Sequence, residues 1–191
     1  MRRIMLKRIF DLILAVFLIV FFSLPLLVVA AWIRLGSNGP VIFWTDRVGI
    51  NNAIFKMAKF RTMRTDTPQV ATHLMKDPEK YLIPGGELLR KYSLDELPQL
   101  LNVLKGDMSF VGPRPALFNQ DDLVALRTQK GVHVLVPGIT GWAQVNGRDD
   151  LPIPLKASFD EYYLHHRSLA FDLRILFLTA WKVVKKEGVQ H

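Results

Sequence analysis

The sequence predicts an α+β chain that is mostly α, in two parts. A re-entrant membrane helix-break-helix occupies residues 1–34, and one compact unit with a small β-hairpin and amphipathic interfacial helices occupies residues 35–191. Three observations predict this. Leu12 to Ile33 run 22 residues without a charge, yet carry Ser23 and Pro25 in their middle. Two short aromatic and β-branched runs flank the turn residues Gly49-Ile50-Asn51-Asn52. Helical periodicity fills most of the remainder, which holds no repeat, low-complexity tract or long linker.

At a helical rise of ~1.5 Å per residue the uncharged run would cover ~33 Å, enough to cross a bilayer. Its flanks argue against a simple crossing. Arg2, Arg3, Lys7 and Arg8 precede it, and Arg34, Arg47, Lys56, Lys59, Arg61 and Arg64 follow it, so both sides carry the basic signature of the cytoplasmic face. A kink resolves the conflict: Pro25 cannot bond the Phe21 carbonyl, and the Ser23 hydroxyl can satisfy freed backbone groups. Residues 12–22 would then reach ~16 Å into the hydrocarbon and residues 25–33 would return. A bitopic helix and a cleaved signal peptide with Val29 and Ala31 at its small-residue positions are the competing readings. Asp11 either pairs with Lys7 or Arg8 along the helix or anchors the fold at the interface.

Beyond the hairpin, Val41–Arg47 and Ala53–Phe60 read as paired strands. Met63–Pro84 reads as a polar loop or irregular helix. Helices are expected at Gly86–Lys91, Leu94–Lys105 and Asn119–Lys130, and over Ile153–Lys186 with a break near Ser168. In the last of these, Phe171, Ile175, Leu178 and Trp181 recur at helical steps, followed by Lys182, Lys185 and Lys186. That pattern suits either an interfacial membrane helix or a core-packed one.

Composition narrows the chemistry. The 25 Lys and Arg exceed the 17 Asp and Glu, a net +8, and half the residues are hydrophobic, which excludes disorder. With no cysteine, disulfide scaffolds, thiolate-zinc sites and thiol nucleophiles are excluded. The five histidines show no metal-ligand spacing. The positive charge divides evenly between residues 1–34 and 35–191 and forms no basic helix, so nucleic acid is not the expected partner.

The densest polar cluster is Lys91-Tyr92-Ser93-Leu94-Asp95-Glu96-Leu97-Pro98-Gln99-Leu100. Ser93 and Glu96 form a capping-box pattern, which explains the acids as first-turn residues, but the same helix start would keep a carboxylate nucleophile ionised. Gly112-Pro113-Arg114-Pro115 fixes a guanidinium on a stiff turn suited to gripping phosphate. Lys59, Arg61, Arg90 and Arg148 add charge that could converge on a diphosphate. Asp107 with Asp95 or Glu96 offers hard oxygens for Mg²⁺ bridging to such a substrate. Pro137 to Arg148 forms a Gly-rich aromatic stretch that either floors a nucleotide site or makes a tight turn beside a strand.

Lys7-Arg8-Ile9-Phe10-Asp11, Lys59-Phe60-Arg61-Thr62-Met63, the Ser93–Leu100 run, Gly106–Pro115 and Pro137–Arg148 together resemble the bacterial sugar transferases called monotopic phosphoglycosyl transferases, including those that use UDP-N,N'-diacetylbacillosamine. The resemblance covers nearly the whole chain. It implies transfer of a phospho-sugar from a UDP-sugar to undecaprenyl phosphate with release of UMP, at the cytoplasmic face of the bacterial inner membrane, initiating a glycan or glycoprotein that downstream glycosyltransferases extend. It further implies Asp95 as nucleophile and Mg²⁺ ligand, Glu96 as its acid–base or orienting partner, and Lys59, Arg61, Arg90, Arg114 and Arg148 as substrate-binding cations. The break departs from the family's Ser-Pro by placing Leu24 between Ser23 and Pro25. The chain is expected to be a minimal catalytic form, and its size points to an N-acetylated deoxy amino sugar as donor. A UDP-glucose or UDP-galactose transferase is the rival enzyme, and a non-catalytic basic membrane adaptor the rival of another class.

Overall fold

The computed structural model describes residues 2–67, 77–147 and 151–185. Helix α1 (Arg2–Phe21) and helix α2 (Ser23–Gly36) meet at a 62° bend. The bend follows from the sequence. Pro25 falls in the first turn of α2, where a missing N–H costs no intrahelical bond, and the Ser23 hydroxyl donates to the Val20 carbonyl at 2.8 Å. Among the described residues no single helix is long and apolar enough to cross a membrane, whereas the bent pair has the required length and hydropathy.

The pair buries polar and apolar side chains on its inner side and exposes apolar ones on its outer side. Ile13, Phe17, Phe21, Leu24 and Leu27 are exposed, while Asp11 and Ala15 are buried. Asp11 does not pair with Lys7 or Arg8. It accepts from the Ser109 hydroxyl at 2.8 Å and from the Phe110 N–H at 3.3 Å, so the anchoring alternative is the one observed. Lys7 donates to Asp172 at 2.8 Å. Arg8 spreads its guanidinium over the Val103 and Leu104 carbonyls at 2.6 and 2.8 Å. Those carbonyls end helix α4 (Gln99–Lys105), where unpaired acceptors and the negative dipole end suit a cation.

Strands β1 (Ile42–Val48) and β2 (Ile54–Phe60) form the expected hairpin, antiparallel from Ile42 opposite Phe60 to Val48 opposite Ile54. Its turn works because Asn51 and Asn52 take positive φ, a conformation asparagine tolerates. A second sheet was not legible in the sequence: β3 (Ser109–Val111) and β4 (Gly138–Thr140) pair in parallel. Glycine permits the close approach that follows, since a Cβ on Gly141 would lie 2.1 Å from the Gly112 carbonyl oxygen. The Pro137–Arg148 stretch therefore begins as a strand and tight turn, the second of its two readings.

Helix α3 (Gly86–Lys91) and helix α5 (Asp121–Gln129) lie where the periodicity placed them. The expected single helix over Leu94–Lys105 is instead a 3₁₀ turn, Leu94–Glu96, followed by α4 beyond Pro98. The short helix α6 (Trp142–Gly147) precedes α7 (Ile153–His166) and α8 (Leu169–Lys185), with the break at Arg167–Ser168. On α8 the Phe171–Ile175–Leu178 face turns inward, with Ile175 fully buried in the main core. A second stripe, Leu169, Leu173, Phe177 and Trp181, faces outward, with Phe177 67% exposed. The helix is apolar on two sides: one face packs in the core, as the core-packed reading expected, and the other is exposed.

The core binds these parts together. Ala15 of α1 packs in one cluster with Val103, Phe110, Val111 and Ile175, while Val29 and Ile33 of α2 pack with Phe60, Ile83 and Leu89. Tyr163 of α7 donates to Asp172 at 2.6 Å, linking α7, α8 and, through Lys7, α1.

Removing the Asp11 carboxylate leaves the buried Phe110 N–H without its acceptor and the Ser109 hydroxyl with only the Val111 carbonyl at 3.2 Å, so Asp11→Ala should cost about 1–3 kcal/mol in thermal unfolding of detergent-solubilised protein. Asp46→Ala, which breaks a solvent-exposed pair with Lys56, should stay within about 0.5 kcal/mol. Equal effects from the two substitutions would refute the anchoring role.

Candidate active site

The 3₁₀ turn at Leu94–Glu96 begins from an unusual residue. Ser93 has φ +53, and its side chain makes no capping bond. The expected capping box is therefore absent: in the left-handed conformation it is the Ser93 carbonyl, rather than its hydroxyl, that meets the Glu96 N–H, at 3.2 Å. A non-glycine residue in this region is strained, and the strain sits two residues before the first of the two acids. In a 3₁₀ turn successive side chains diverge by about 120°, so Asp95 and Glu96 enter different environments.

Glu96 points at cations. Its Oε1 accepts from Lys59 Nζ of β2 at 2.7 Å and lies 3.5 Å from Arg114 Nη2. Burial pushes this carboxyl up, but Lys59, Arg114, the hydrogen bond from Lys59 and then Arg47 together outweigh it and hold the pKa well below the usual range. Glu96 is thus firmly anionic. Asp95 is 9% exposed, and its pKa moves the other way. Burial raises it, Lys59 opposes, Glu96 raises it further, and Arg90 and its own backbone N–H pull it down. Adjacent carboxyls with diverging pKa values divide their roles by environment.

The cations come from separate elements. Arg90, at the end of α3, donates to the Thr62 hydroxyl at 3.0 Å; burial lowers its pKa and Asp95 raises it. Arg114 stands on the Gly112–Pro115 turn that follows β3. Its carbonyl receives Arg127 Nη1 at 2.9 Å, and Arg127 is fixed by Asp160 at 2.9 and 2.6 Å. Arg127, Asp160 and Thr62 were missed by sequence reasoning, because no local pattern links residues so far apart.

Two expected members do not join the cluster. Arg61 is 4% exposed and points away, with Nε on the Pro40 carbonyl at 2.6 Å and Nη2 on Ser37 Oγ at 2.9 Å. It clasps the end of α2 to β2, since a guanidinium beside several backbone acceptors satisfies them in one plane. Asp107 sits at the far end of α4 and accepts from Asn102 at 3.2 Å. Arg148 lies outside the described residues.

Among the described residues no three acidic or imidazole side chains form a metal cage. Magnesium does not need one, because it keeps several waters and binds through one or two carboxylates plus substrate phosphates. Asp95, a hard oxygen donor in the field of Lys59 and Arg90, fits that manner of binding.

A family model described as bacterial sugar transferase matches residues 2–186. The chain belongs to the bacterial sugar transferase family. This sugar transferase is 46% identical over 188 residues to the sugar transferase EpsL of Bacillus subtilis (strain 168), covering 97% of the chain and 91% of the relative. It is 39% identical over 186 residues to the UDP-glucose:undecaprenyl-phosphate glucose-1-phosphate transferase of Escherichia coli (strain K12), covering 93% of the chain and 40% of the relative. It is also 39% identical over 190 residues to the UDP-N-acetylgalactosamine-undecaprenyl-phosphate N-acetylgalactosaminephosphotransferase of Aeromonas hydrophila, covering 96% and 45%. The chain spans less than half the length of these last two.

The opposed pKa shifts of the transferase make a stability prediction. Asp95 has a raised pKa when folded, so the folded chain holds its proton to higher pH and the ionised carboxylate opposes folding above that window. Asp95→Asn should raise Tm at pH 7.5 by about 2–4 °C, the gain shrinking as pH falls through the folded pKa of Asp95 toward the ordinary aspartate range. Glu96 has a lowered pKa, so its contribution is present above the unfolded value and fades in acid; Glu96→Gln should lower Tm at pH 7.5. Thermal melts at several pH values read both, and like-signed shifts at pH 7.5 would contradict this electrostatic account.

Proposed function

We propose that this transferase moves a phospho-sugar from a UDP-sugar to undecaprenyl phosphate through a covalent intermediate on Asp95. The observation that carries the reading is the buried Asp95 carboxyl, in the field of Lys59 and Arg90, beside a Glu96 held anionic by Lys59 and Arg114. In the first half-reaction an Asp95 oxygen attacks the β-phosphorus, the bond to the bridging oxygen breaks, and UMP leaves with that electron pair. In the second, an oxygen of undecaprenyl phosphate attacks the same phosphorus, the acyl-phosphate bond breaks, and Asp95 is regenerated as a carboxylate.

Each neighbour has work in this scheme. Glu96 orients Lys59 toward the transferring phosphoryl group. Lys59, Arg90 and Arg114 oppose the negative charge that gathers on the departing phosphate, in a setting where water is largely excluded. Mg²⁺ bound by Asp95 and the donor diphosphate would supply further charge neutralisation. The low exposure of Asp95 favours a desolvated, more reactive carboxylate, and the ordered turn holds it in one attack direction.

The acceptor is a lipid, and the outward apolar faces of α1, α2 and α8 suit a chain seated in one leaflet of the bacterial membrane. In this reading the bent pair enters from the cytoplasmic face and returns to it, consistent with basic residues on both flanks. The donor is proposed to be an N-acetylated amino sugar, as in the Aeromonas relative. A hexose donor is the second reading, favoured by the Escherichia relative.

Incubation with a UDP-sugar panel and no lipid should release UMP once per enzyme and leave a sugar-phosphate mass on the peptide containing Asp95. Asp95→Asn should abolish both and reduce turnover by about a thousandfold or more. Kinetics in which UMP departs only after both substrates have bound would defeat the covalent scheme, and transfer confined to UDP-hexoses would defeat the donor assignment. Separately, cysteines placed at Arg2 and Asn38 should both stay unlabelled by impermeant reagent outside intact cells; labelling of one alone would establish a spanning helix.

A further inference from the structure

Strand β2 pairs with β1 along one edge, and among the described residues its other edge meets no third strand. A bare strand edge inside a protein leaves backbone donors and acceptors without partners, which is costly. One side chain fills the gap. Asn102, in the middle of α4 and 1% exposed, accepts from the Ala58 N–H through Oδ1 at 2.9 Å and donates from Nδ2 to the Lys56 carbonyl at 2.7 Å. An N–H and a C=O two residues apart on one edge are the pair that a neighbouring strand residue would engage, and a carboxamide reproduces that donor and acceptor in one plane. The remaining Nδ2 proton reaches Asp107 at 3.2 Å, which fixes the amide's orientation.

The two elements joined by this amide carry the two halves of the Glu96 contact. Lys59 follows Ala58 directly on β2, and Glu96 stands three residues before Gln99, the first residue of α4. We propose that Asn102 is a positioning residue for the Lys59–Glu96 pair: by fixing the register of β2 against α4, its amide holds Lys59 Nζ on Glu96. This rests on the reading of Asp95 and Glu96 as the reaction centre. Asn102 touches no reacting atom, and its effect passes through Lys59.

A double-mutant cycle with Lys59→Met tests this in the full chain, in detergent or nanodiscs, with UDP-sugar and undecaprenyl phosphate. Asn102→Ala should lower kcat about tenfold or more with the donor KM within about twofold, and should speed amide exchange at Ala58 at least about tenfold. In the Lys59→Met background the same substitution should change kcat by less than about threefold, because the side chain it positions is gone. Asn102→Gln keeps both amide functions one methylene further out, so it should fall between wild type and alanine; should the alanine variant not fold, the glutamine cycle decides on the same terms. Asn52→Ala, an exposed Asn on the hairpin turn that bonds Thr128, should leave kcat unchanged. Multiplicative losses in the cycle, or a loss confined to KM, would overturn the positioning role. Full turnover in Asp95→Asn would instead overturn the reaction reading, while Ala58 exchange still reports on the Asn102 contact.

Discussion

The structure depends on charged residues of α1 being satisfied inside the protein. Lys7, Arg8 and Asp11 share one face of a helix that is uncharged from Leu12 onward, and each finds its partner in a different element: α8, α4 and β3. Burying such groups without partners would be prohibitive, so α1 has one favourable rotation about its axis and one depth against the core. With that polar face and Ala15 committed inward, Ile13, Phe17 and Phe21 are left on the outer side. The hairpin is thus joined to the same α4 whose other end leads into Asp95 and Glu96, and the height of the acids relative to the apolar surface is fixed by a handful of hydrogen bonds.

At the acids, a second constraint operates. Two adjacent carboxylates in a poorly solvated turn repel, and the chain resolves this by giving the cations to one of them. Glu96 takes Lys59 and Arg114 directly and becomes a stable anion, while Asp95 is left as the more weakly compensated group. A carboxylate whose ionised form is disfavoured by burial is destabilising in the resting protein and reactive toward an electrophile that relieves its charge. Stability and reactivity are opposed at this one residue, as is usual where function and folding compete.

The parts legible in sequence were those with local physical signatures: the Ser23 and Pro25 break, the asparagine turn of the β-hairpin, the stop at Ser168, and the motif acids. The parts not legible depend on partners far away in the chain. Arg61 stands two residues from Lys59 and carries the same sign, but it lies past Phe60, the last residue of β2, and its side chain turns to Pro40 and Ser37 while that of Lys59, inside the strand, meets Glu96. Ser93 matches a capping box letter for letter, but its backbone is left-handed, which no spacing rule records. Strands of three residues, such as β3 and β4, are too short for an alternation pattern, and α8 carries two apolar stripes where periodicity identifies only one at a time.

The residues that do no chemistry set the accuracy of those that do. Arg114 reaches Glu96 because its turn is pinned from two sides. Arg127 holds its carbonyl from α5, and the Gly112 backbone lies so close to Gly138 and Gly141 that any Cβ there would collide with main-chain atoms. Asp160, itself buried, removes the rotational freedom of Arg127 by a two-pronged contact. Lys59 is placed by the same logic from the opposite side, through the Asn102 amide on β2. Two cations converge on one carboxylate oxygen only if both backbones are fixed to within a fraction of an ångström, so the glycines, Arg127 and Asn102 belong to the site as firmly as Lys59 and Arg114 do.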